Sequence, residues 1–292
     1  MREKTVLSVA FCLFLCLGCR GGRSSGTGDR SVAADSIDFK AVTVPAIFQT
    51  QQEKLEYVAL HFWDNYVPEV KMQSLEANFA NWVYLSYNIS RNDAAEALHS
   101  VWKKDSLRIS ALADKYLYDP NSPYRDEDIY GLFAEKVGGE LEAVAKLCAL
   151  NRVGSKANDF VYETARGRRG SLYRLEADYI LLFFSNPFCH SCAEIIQTLK
   201  SHEGLNRAVG SGKICVLNVY IDEDLEQWRS YLPNYPESWI NAFDPLLVLR
   251  GTSIYNIRAI PSLYLLDSDR TVLFKDAPLE IILTYLQDNG SI

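Results

Sequence analysis

The feature that most constrains this 292-residue chain is a pair of cysteines, Cys189 and Cys192, between two strongly patterned segments. Before them, Tyr179–Phe184 is uniformly apolar, which is typical of a strand covered on both faces of an α/β sheet. After them, an apolar repeat at i, i+3, i+4 and i+7 begins at Cys192 and predicts a helix packed on that sheet. The sequence therefore places two thiols where a buried strand gives way to an amphipathic helix.

The two thiols are expected to differ in reactivity. Cys189 lies where the helix begins, so unpaired backbone N–H groups and the helix dipole favour its thiolate, and it is predicted to be exposed. Cys192 lies one turn later, on the inward face. We therefore predict that Cys189 attacks a disulfide and that Cys192 resolves the mixed disulfide. Half of a zinc site and two unrelated buried thiols are the alternative interpretations of a lone Cys-x-x-Cys motif.

Residues 1–18 are predicted to be a signal peptide. Arg2 and Lys4 precede a short apolar stretch, and a Gly- and Ser-rich segment follows Cys19. The junction at Cys19 resembles a bacterial lipoprotein signal, which implies lipidation of that cysteine and a periplasm-facing protein anchored to a membrane of the bacterial cell envelope. Ordinary secretion and a retained, uncleaved anchor are the alternatives. Residues 19–43 are expected to be a flexible tether.

Residues 44–152 are predicted to form an all-α domain. Apolar residues recur there at helical spacing, and Ser90 is expected to cap a helix that continues to Leu112. A Pro-containing break at 119–123 precedes the last helical segment. The region shows no pattern for metal, nucleophile or phosphate chemistry, and its aromatic residues fit a helical core. An interaction surface is the functional alternative for this domain.

Composition and the other cysteines predict no second chemical site. The formal net charge of −7 argues against a nucleic-acid partner, for which a basic face is expected. Cys148 continues the apolar stripe of a helix and Cys215 lies in a buried-strand pattern, so both are interpreted as small buried hydrophobes. We predict no metal site and no cofactor.

Residues 153–292 alternate strands and helices, and their order resembles the thioredoxin fold. A strand, the Cys-x-x-Cys motif, a helix and a second strand are followed by Ile260 and Pro261, a hairpin and a closing helix. The implied fold class is α/β, a thioredoxin-like fold with a central mixed sheet flanked by helices, preceded by the all-α domain. The chain is similar, more specifically, to TlpA-like thiol-disulfide oxidoreductases of Gram-negative bacteria, among them lipoproteins with an N-terminal helical domain of unknown function.

The resemblance implies roles for particular residues. Pro261 is expected to be cis and to face the dithiol as part of the catalytic site, and Ile260 to offer backbone groups that bind a substrate strand. Phe183 stands where thioredoxin carries a buried aspartate, so the role of that carboxylate is unfilled. Glu194 is a nearby carboxylate, but helical geometry points it away from Cys192. His190 either stabilises the thiolate or is a solvent-facing spacer.

The predicted function is that of an enzyme, a membrane-tethered periplasmic thiol-disulfide oxidoreductase. A role as reductant or isomerase is expected by analogy with TlpA-like proteins, since the sequence does not give the direction of electron flow. The implied partners are exported thiol or disulfide proteins and a membrane electron donor or acceptor. One alternative is an interaction lipoprotein in which the helical domain binds a partner and the dithiol is structural. Metal delivery is a weaker alternative, because the last histidine in the chain is His202.

Overall fold

The structure is a computed structural model that describes residue 40 and residues 42–251 and 254–292. The predicted signal peptide, the lipidated Cys19 and nearly all of the predicted tether lie outside the described residues. No helix in the described ranges is both long enough and apolar enough to cross a bilayer.

Six α-helices make up the described part of the first half. Their bounds are α1 Gln51–His61, α2 Met72–Ser86, α3 Arg91–Trp102, α4 Ser106–Ala113, α5 Glu127–Val137 and α6 Glu142–Cys148. A π-helical turn, Asp114–Tyr118, follows α4 directly. The inward faces form one cluster rich in aromatic rings, with Trp63, Phe79 and Trp82 in mutual contact. The prediction of an all-α region is confirmed.

The prediction of one helix from Ser90 to Leu112 is wrong, because the chain forms α3 and α4 there. Ser90 does cap α3. The helix is interrupted before Asp105, whose carboxylate accepts the backbone N–H of Arg108 at 3.4 Å and so caps α4. The same carboxylate accepts the hydroxyl of Tyr66 at 2.6 Å. A capping side chain that is also held by a tertiary hydrogen bond favours a new helix start at this point.

The described residues of the second half form a seven-stranded mixed sheet with four α-helices. The strands are β1 Val161–Thr164, β2 Arg169–Ser171, β3 Tyr179–Phe184, β4 Ile214–Tyr220, β5 Ile240–Phe243, β6 Ser262–Asp267 and β7 Val272–Lys275. The helices are α7 His190–Ser201, α8 Glu203–Gly210, α9 Leu225–Tyr231 and α10 Leu279–Asp288. The strand order is β2-β1-β5-β4-β3-β6-β7, with β3, β4 and β5 parallel and the other pairings antiparallel. This confirms the predicted fold class.

Strand β3 lies inside the sheet and is covered on both faces, as its uniform apolarity predicted. Side chains alternate along a strand, so Leu181 and Phe183 point toward α7 and α10, whereas Leu182 and Phe184 point toward the opposite cluster. Strand β5 and helix α8 were not predicted from the sequence. Both are short, and half of the residues in β5 are only partly buried, which weakens their sequence patterns.

A group of charged residues joins the helical region to the sheet half, and we call it the junction: Glu127, Arg258 and Lys275. The Glu127 carboxylate lies 2.6 Å from Arg258 Nε and 2.8 Å from Lys275 Nζ. The side chains of Glu127 and Lys275 are both buried. The Arg258 guanidinium also lies over the ring of Tyr118, 3.7 Å from its centroid. The two halves are therefore connected by specific polar contacts.

Candidate active site

Strand β3 and helix α7 position the two cysteines. Cys189 is the N-cap residue of α7, and its Sγ accepts the backbone N–H of Cys192 at 3.2 Å. Phe188, just before it, has a positive φ of 60°, so the chain turns sharply between strand and helix. The predicted passage from a buried strand to an amphipathic helix is confirmed. Cys189 Sγ occupies the place of a capping side chain at the helix N-terminus.

The two sulfurs differ in accessibility, and both are free thiols. Cys192 is 1% exposed and packs in the cluster that contains Phe183 and Ile196. Its burial, together with its contact with the Cys189 sulfur, raises the pKa of the Cys192 thiol well above the ordinary value. Cys189 is half-buried, so the prediction that it is exposed was too strong. The reason is the loop before β6, whose Ile260 carbonyl oxygen lies 3.9 Å from Cys189 Sγ.

Ile260 and Pro261 lie beside the dithiol, at the start of β6. The peptide bond between them is cis, which confirms the geometry that the resemblance implied. The Ile260 carbonyl accepts a long, weak hydrogen bond from the Cys189 thiol. The structure therefore brings Cys189, Cys192, Ile260 and Pro261 together. The substrate-binding role of Ile260 and the catalytic role of Pro261 stay predictions.

His190 and Glu194 lie at the surface, where they contact each other. His190 Nε2 is 3.2 Å from Glu194 Oε1, one helical turn along α7, and both side chains are largely exposed to solvent. Glu194 points outward, as helical geometry predicted, while Cys192 points into the core. A modulating role for this pair stays a prediction.

A neutral polar cluster lies in the sheet beneath the dithiol. Phe183 is fully buried, and its neighbour across the β3–β4 ladder is Asn218, which projects on the same face. Asn218 Oδ1 accepts the hydroxyl of Ser185 at 2.6 Å, and its Nδ2 donates to Asn241 at 3.1 Å. The buried hydroxyl of Tyr235 lies next to Ser185 and Asn218. Sequence reasoning missed this cluster, although an Asn inside a buried strand needs hydrogen-bond partners and was the available signal.

A cleft of about 820 Å³ opens beside the dithiol and runs between the two halves. On the sheet half it is lined by Ser191, Ile195, Pro261, Phe274, Leu279 and Ile281, among others. On the helical region it is lined by Tyr87, Arg91, Asn121, Ser122, Arg125 and Asp126, among others. Its size is near the upper end of the roughly 300–1,000 Å³ that is common for ligand sites. Sequence reasoning did not find it, because its walls come from residues far apart in the chain.

The remaining described cysteines are separate from this site. Cys148 is fully buried among the helices, as predicted, and burial raises its pKa to about 12. Cys215 is half-buried rather than buried, because loops instead of a helix cover that face of the sheet. Burial raises its pKa to about 11. Within the described ranges, no three His, Cys, Asp or Glu side chains are grouped so that they could hold a metal ion.

Two family models match separate parts of the chain. A model described as thioredoxin-like matches residues 177–272. A model described as a domain of unknown function (DUF5106) matches residues 19–152. No curated protein matched the chain.

Solved structures are similar to this chain over one or both of its halves. A thioredoxin-like protein from Bacteroides caccae is 34% identical, with 86% of this chain and 98% of that chain covered and a TM-score of 0.78. The C-terminal domain of an uncharacterized protein from Bacteroides fragilis is 43% identical, with 47% of this chain and 98% of that chain covered and a TM-score of 0.45. A thiol-disulfide oxidoreductase from Bacteroides fragilis is 24% identical, with 46% of this chain and 99% of that chain covered and a TM-score of 0.40. Because the first similarity extends over both halves, this chain belongs to the thioredoxin-like family.

Proposed function

We propose that the protein is a thiol-disulfide oxidoreductase of the bacterial cell envelope, anchored to a membrane through Cys19, that reduces or isomerises disulfides in exported proteins. The observation that carries the proposal is the pairing of a reachable sulfur, Cys189, with a buried one, Cys192, at the start of one helix. Ile260 and Pro261 lie against this pair, where a bound polypeptide can meet the reachable sulfur.

The proposed reaction begins when the Cys189 thiolate attacks one sulfur of a substrate disulfide. The substrate S–S bond breaks, a disulfide forms between Cys189 and the substrate, and the leaving sulfur takes up a proton. Cys192 then loses its proton and attacks Cys189 Sγ, which releases the second substrate sulfur as a thiol. Two electrons have passed to the substrate, and the Cys189–Cys192 disulfide that remains must be reduced by an external dithiol partner.

The order of attack follows from the difference between the two sulfurs. The thiolate is the reactive form of cysteine. Burial raises the pKa of Cys192, so this thiol stays protonated until the mixed disulfide has formed beside it. In isomerisation a substrate thiol, rather than Cys192, attacks the mixed disulfide, and no net electrons are transferred. Cys192 then serves to release substrates that fail to rearrange.

The experiment that tests this function is a turnover assay with hydroxyethyl disulfide and with insulin, using dithiothreitol as the external reductant. Wild-type protein should accelerate both reactions, whereas Cys189→Ser should match the uncatalysed rate and keep the wild-type circular dichroism spectrum. If wild type and Cys189→Ser have equal rates, the proposed activity is wrong. Equilibration with glutathione then gives the reduction potential of the dithiol and so the direction of electron flow. Reducing proteins of this kind have potentials near −270 mV and strong oxidants near −120 mV.

The proposed membrane anchor needs its own test, because Cys19 lies outside the described residues. Cys19→Ala should move the protein from the membrane fraction to the soluble periplasmic fraction, or leave it unprocessed. Two acyl chains hold a protein far more firmly than one, so partial release is not expected. Unchanged membrane fractionation together with normal cleavage would exclude a lipid on Cys19.

A further inference from the structure

One end of the cleft is formed by residues that adjoin the reactive sulfur. Ser191, one of the two residues between the cysteines, lines the cleft, as do Ile260 and Pro261. Cys189 Sγ lies 3.9 Å from the Ile260 carbonyl at this end of the cleft. A polypeptide that forms a disulfide with Cys189 therefore has the cleft directly beside its own cysteine.

The sheet half gives the cleft an apolar wall. Phe274 is half-buried, and Ile281, on the outer face of α10, is 51% exposed. Leu279 lies between them at the start of the same helix. Apolar side chains that line a cleft next to a reactive group are typical of binding sites, because covering their surface with a ligand stabilises the complex.

The helical region gives the cleft a second wall that is already in place. Arg125 donates to the carbonyl of Pro120 and to that of Asp276, in both cases at 2.7 Å. These bonds hold the loop after the π-helical turn against the sheet half. Tyr87, just beyond α2, is 57% exposed and faces the same cleft. A wall fixed before binding lowers the entropy cost of ordering it around a ligand.

The charged groups along the cleft are largely paired with one another. Arg91 Nε lies 3.4 Å from a carboxylate oxygen of Asp126, and Lys275 Nζ lies 2.8 Å from Glu127. The lining is mixed, with slightly more apolar than polar surface, and Tyr87 and Ile281 are exposed apolar residues in it. An uncharged, apolar side chain complements this surface better than a charged one, which would be desolvated without a free partner.

We infer that the helical region forms part of the substrate site, and that the cleft binds an extended polypeptide segment with a bulky apolar residue beside its cysteine. That residue packs against Phe274 and Ile281 on one side and against Tyr87 on the other. The inference rests on the proposed oxidoreductase function and adds its substrate class. It also gives the helical region a task, the choice of substrate, that the dithiol cannot perform alone.

Full-length variants can test this with three probes: hydroxyethyl disulfide, a disulfide peptide with leucine beside each cysteine, and the same peptide with glycine there. Wild type should prefer the leucine peptide, and Tyr87→Ala and Ile281→Ala should each lower its kcat/KM roughly tenfold, as expected for lost apolar contacts. Turnover of hydroxyethyl disulfide should not change. Tyr84→Ala is the matched control, because Tyr84 lies in the last turn of α2, three residues before Tyr87, is 58% exposed and does not line the cleft.

The outcomes separate the two proposals. If wild type fails even with hydroxyethyl disulfide, the oxidoreductase function is wrong and the substrate inference falls with it. If wild type turns over that probe but Tyr87→Ala and Tyr84→Ala have equal kcat/KM for the leucine peptide, only the cleft inference is wrong. It is also wrong if sedimentation shows a wild-type dimer that Ile281→Ala converts to a monomer, because a second copy of the chain then covers the cleft.

Discussion

The helical region and the sheet half each have an apolar core of their own, but the contact between them is polar. One aromatic-rich cluster fills the helical region, and two clusters cover the two faces of the sheet. At the junction, by contrast, Glu127 pairs with Arg258 and Lys275. Polar contacts of this kind are typical between domains of one chain. The difference indicates that the junction fixes the orientation of two cores that are already complete.

The halves also differ in the chemistry of their cysteines. In the sheet half, Cys189 is reachable and lies at a helix N-terminus. In the helical region, the described cysteine is Cys148, which is fully buried with a raised pKa. We therefore place the proposed reaction in the sheet half and the proposed selection of substrates in both halves.

The largest predicted effect is that of replacing Cys192 with Ala, which should change the reaction in the sheet half. Without the resolving sulfur, the disulfide between Cys189 and a substrate persists, so covalent complexes with exported proteins should accumulate. Steady-state turnover should fall by a factor on the order of 10³ or more, as for other covalent catalysts that lose a reacting group. Non-reducing gels followed by mass spectrometry detect the trapped complexes, and the insulin assay measures the loss of turnover.

The control for this experiment is Cys189→Ala, which should be equally inactive but should trap nothing. Trapping by Cys189→Ala instead would reverse the roles of the two sulfurs. Cys148→Ala should leave trapping and turnover unchanged, because Cys148 lies in the helical core. A loss of turnover in this variant, with normal folding, would contradict the assignment of the reaction to the sheet half.

Alkylation of the reduced protein should rank the sulfurs of the two halves directly. Cys189 should react with iodoacetamide first, because it is the more accessible sulfur of the dithiol, whereas Cys192 is buried. Cys148 should react far more slowly than Cys189, since a pKa of about 12 leaves only about one Cys148 thiol in 10⁴ ionised at pH 8. Peptide mapping over time gives the individual rates. Equal rates for Cys189 and Cys192 would show that the dithiol is not divided into outer and inner sulfurs.

Local patterns predicted much of the sheet half but little of the contact between the halves. The uniform apolarity of β3 and the periodicity of α7 each report on a neighbouring surface, so both elements could be predicted. The cis bond before Pro261 was known only from the resemblance, because an Ile-Pro dipeptide does not encode it. The junction and the cleft depend on partners more than a hundred residues apart, such as Glu127 and Arg258. Neither partner carries a local pattern that points to the other.

After the loss of turnover in Cys192→Ala, the next largest predicted effect is a loss of folding stability when the acidic residue of the junction is removed. Glu127→Ala leaves the buried Lys275 ammonium and the Arg258 guanidinium without their carboxylate. Breaking a buried ion pair by removal of one partner costs about 3–5 kcal/mol. Urea unfolding measures the loss, and two separate transitions would show that the two cores no longer unfold together.

A surface ion pair of the helical region provides the control. Glu96 lies 2.7 Å from Lys136, but its side chain is largely exposed to water. Exposed ion pairs contribute little to stability, so Glu96→Ala should leave the free energy of unfolding nearly unchanged. Equal effects of Glu96→Ala and Glu127→Ala would show that the junction is no more important than the surface.

The smallest predicted effect concerns the pH dependence of stability at Asp276, which follows the junction residue Lys275 in the chain. Burial raises the pKa of Asp276, with Arg125 opposing the shift, and the carboxyl accepts the hydroxyl of Ser262 at 2.5 Å. The folded protein therefore binds this proton more tightly than the unfolded chain, in which an aspartate titrates near pH 3.9. The contribution of Asp276 to stability should fall as pH rises from about 3.9 through its raised pKa. Asp276→Asn should flatten the fall in urea midpoint over this range, but only in part, because burial also raises the pKa of Asp128. Identical slopes for wild type and variant would show that Asp276 does not titrate abnormally.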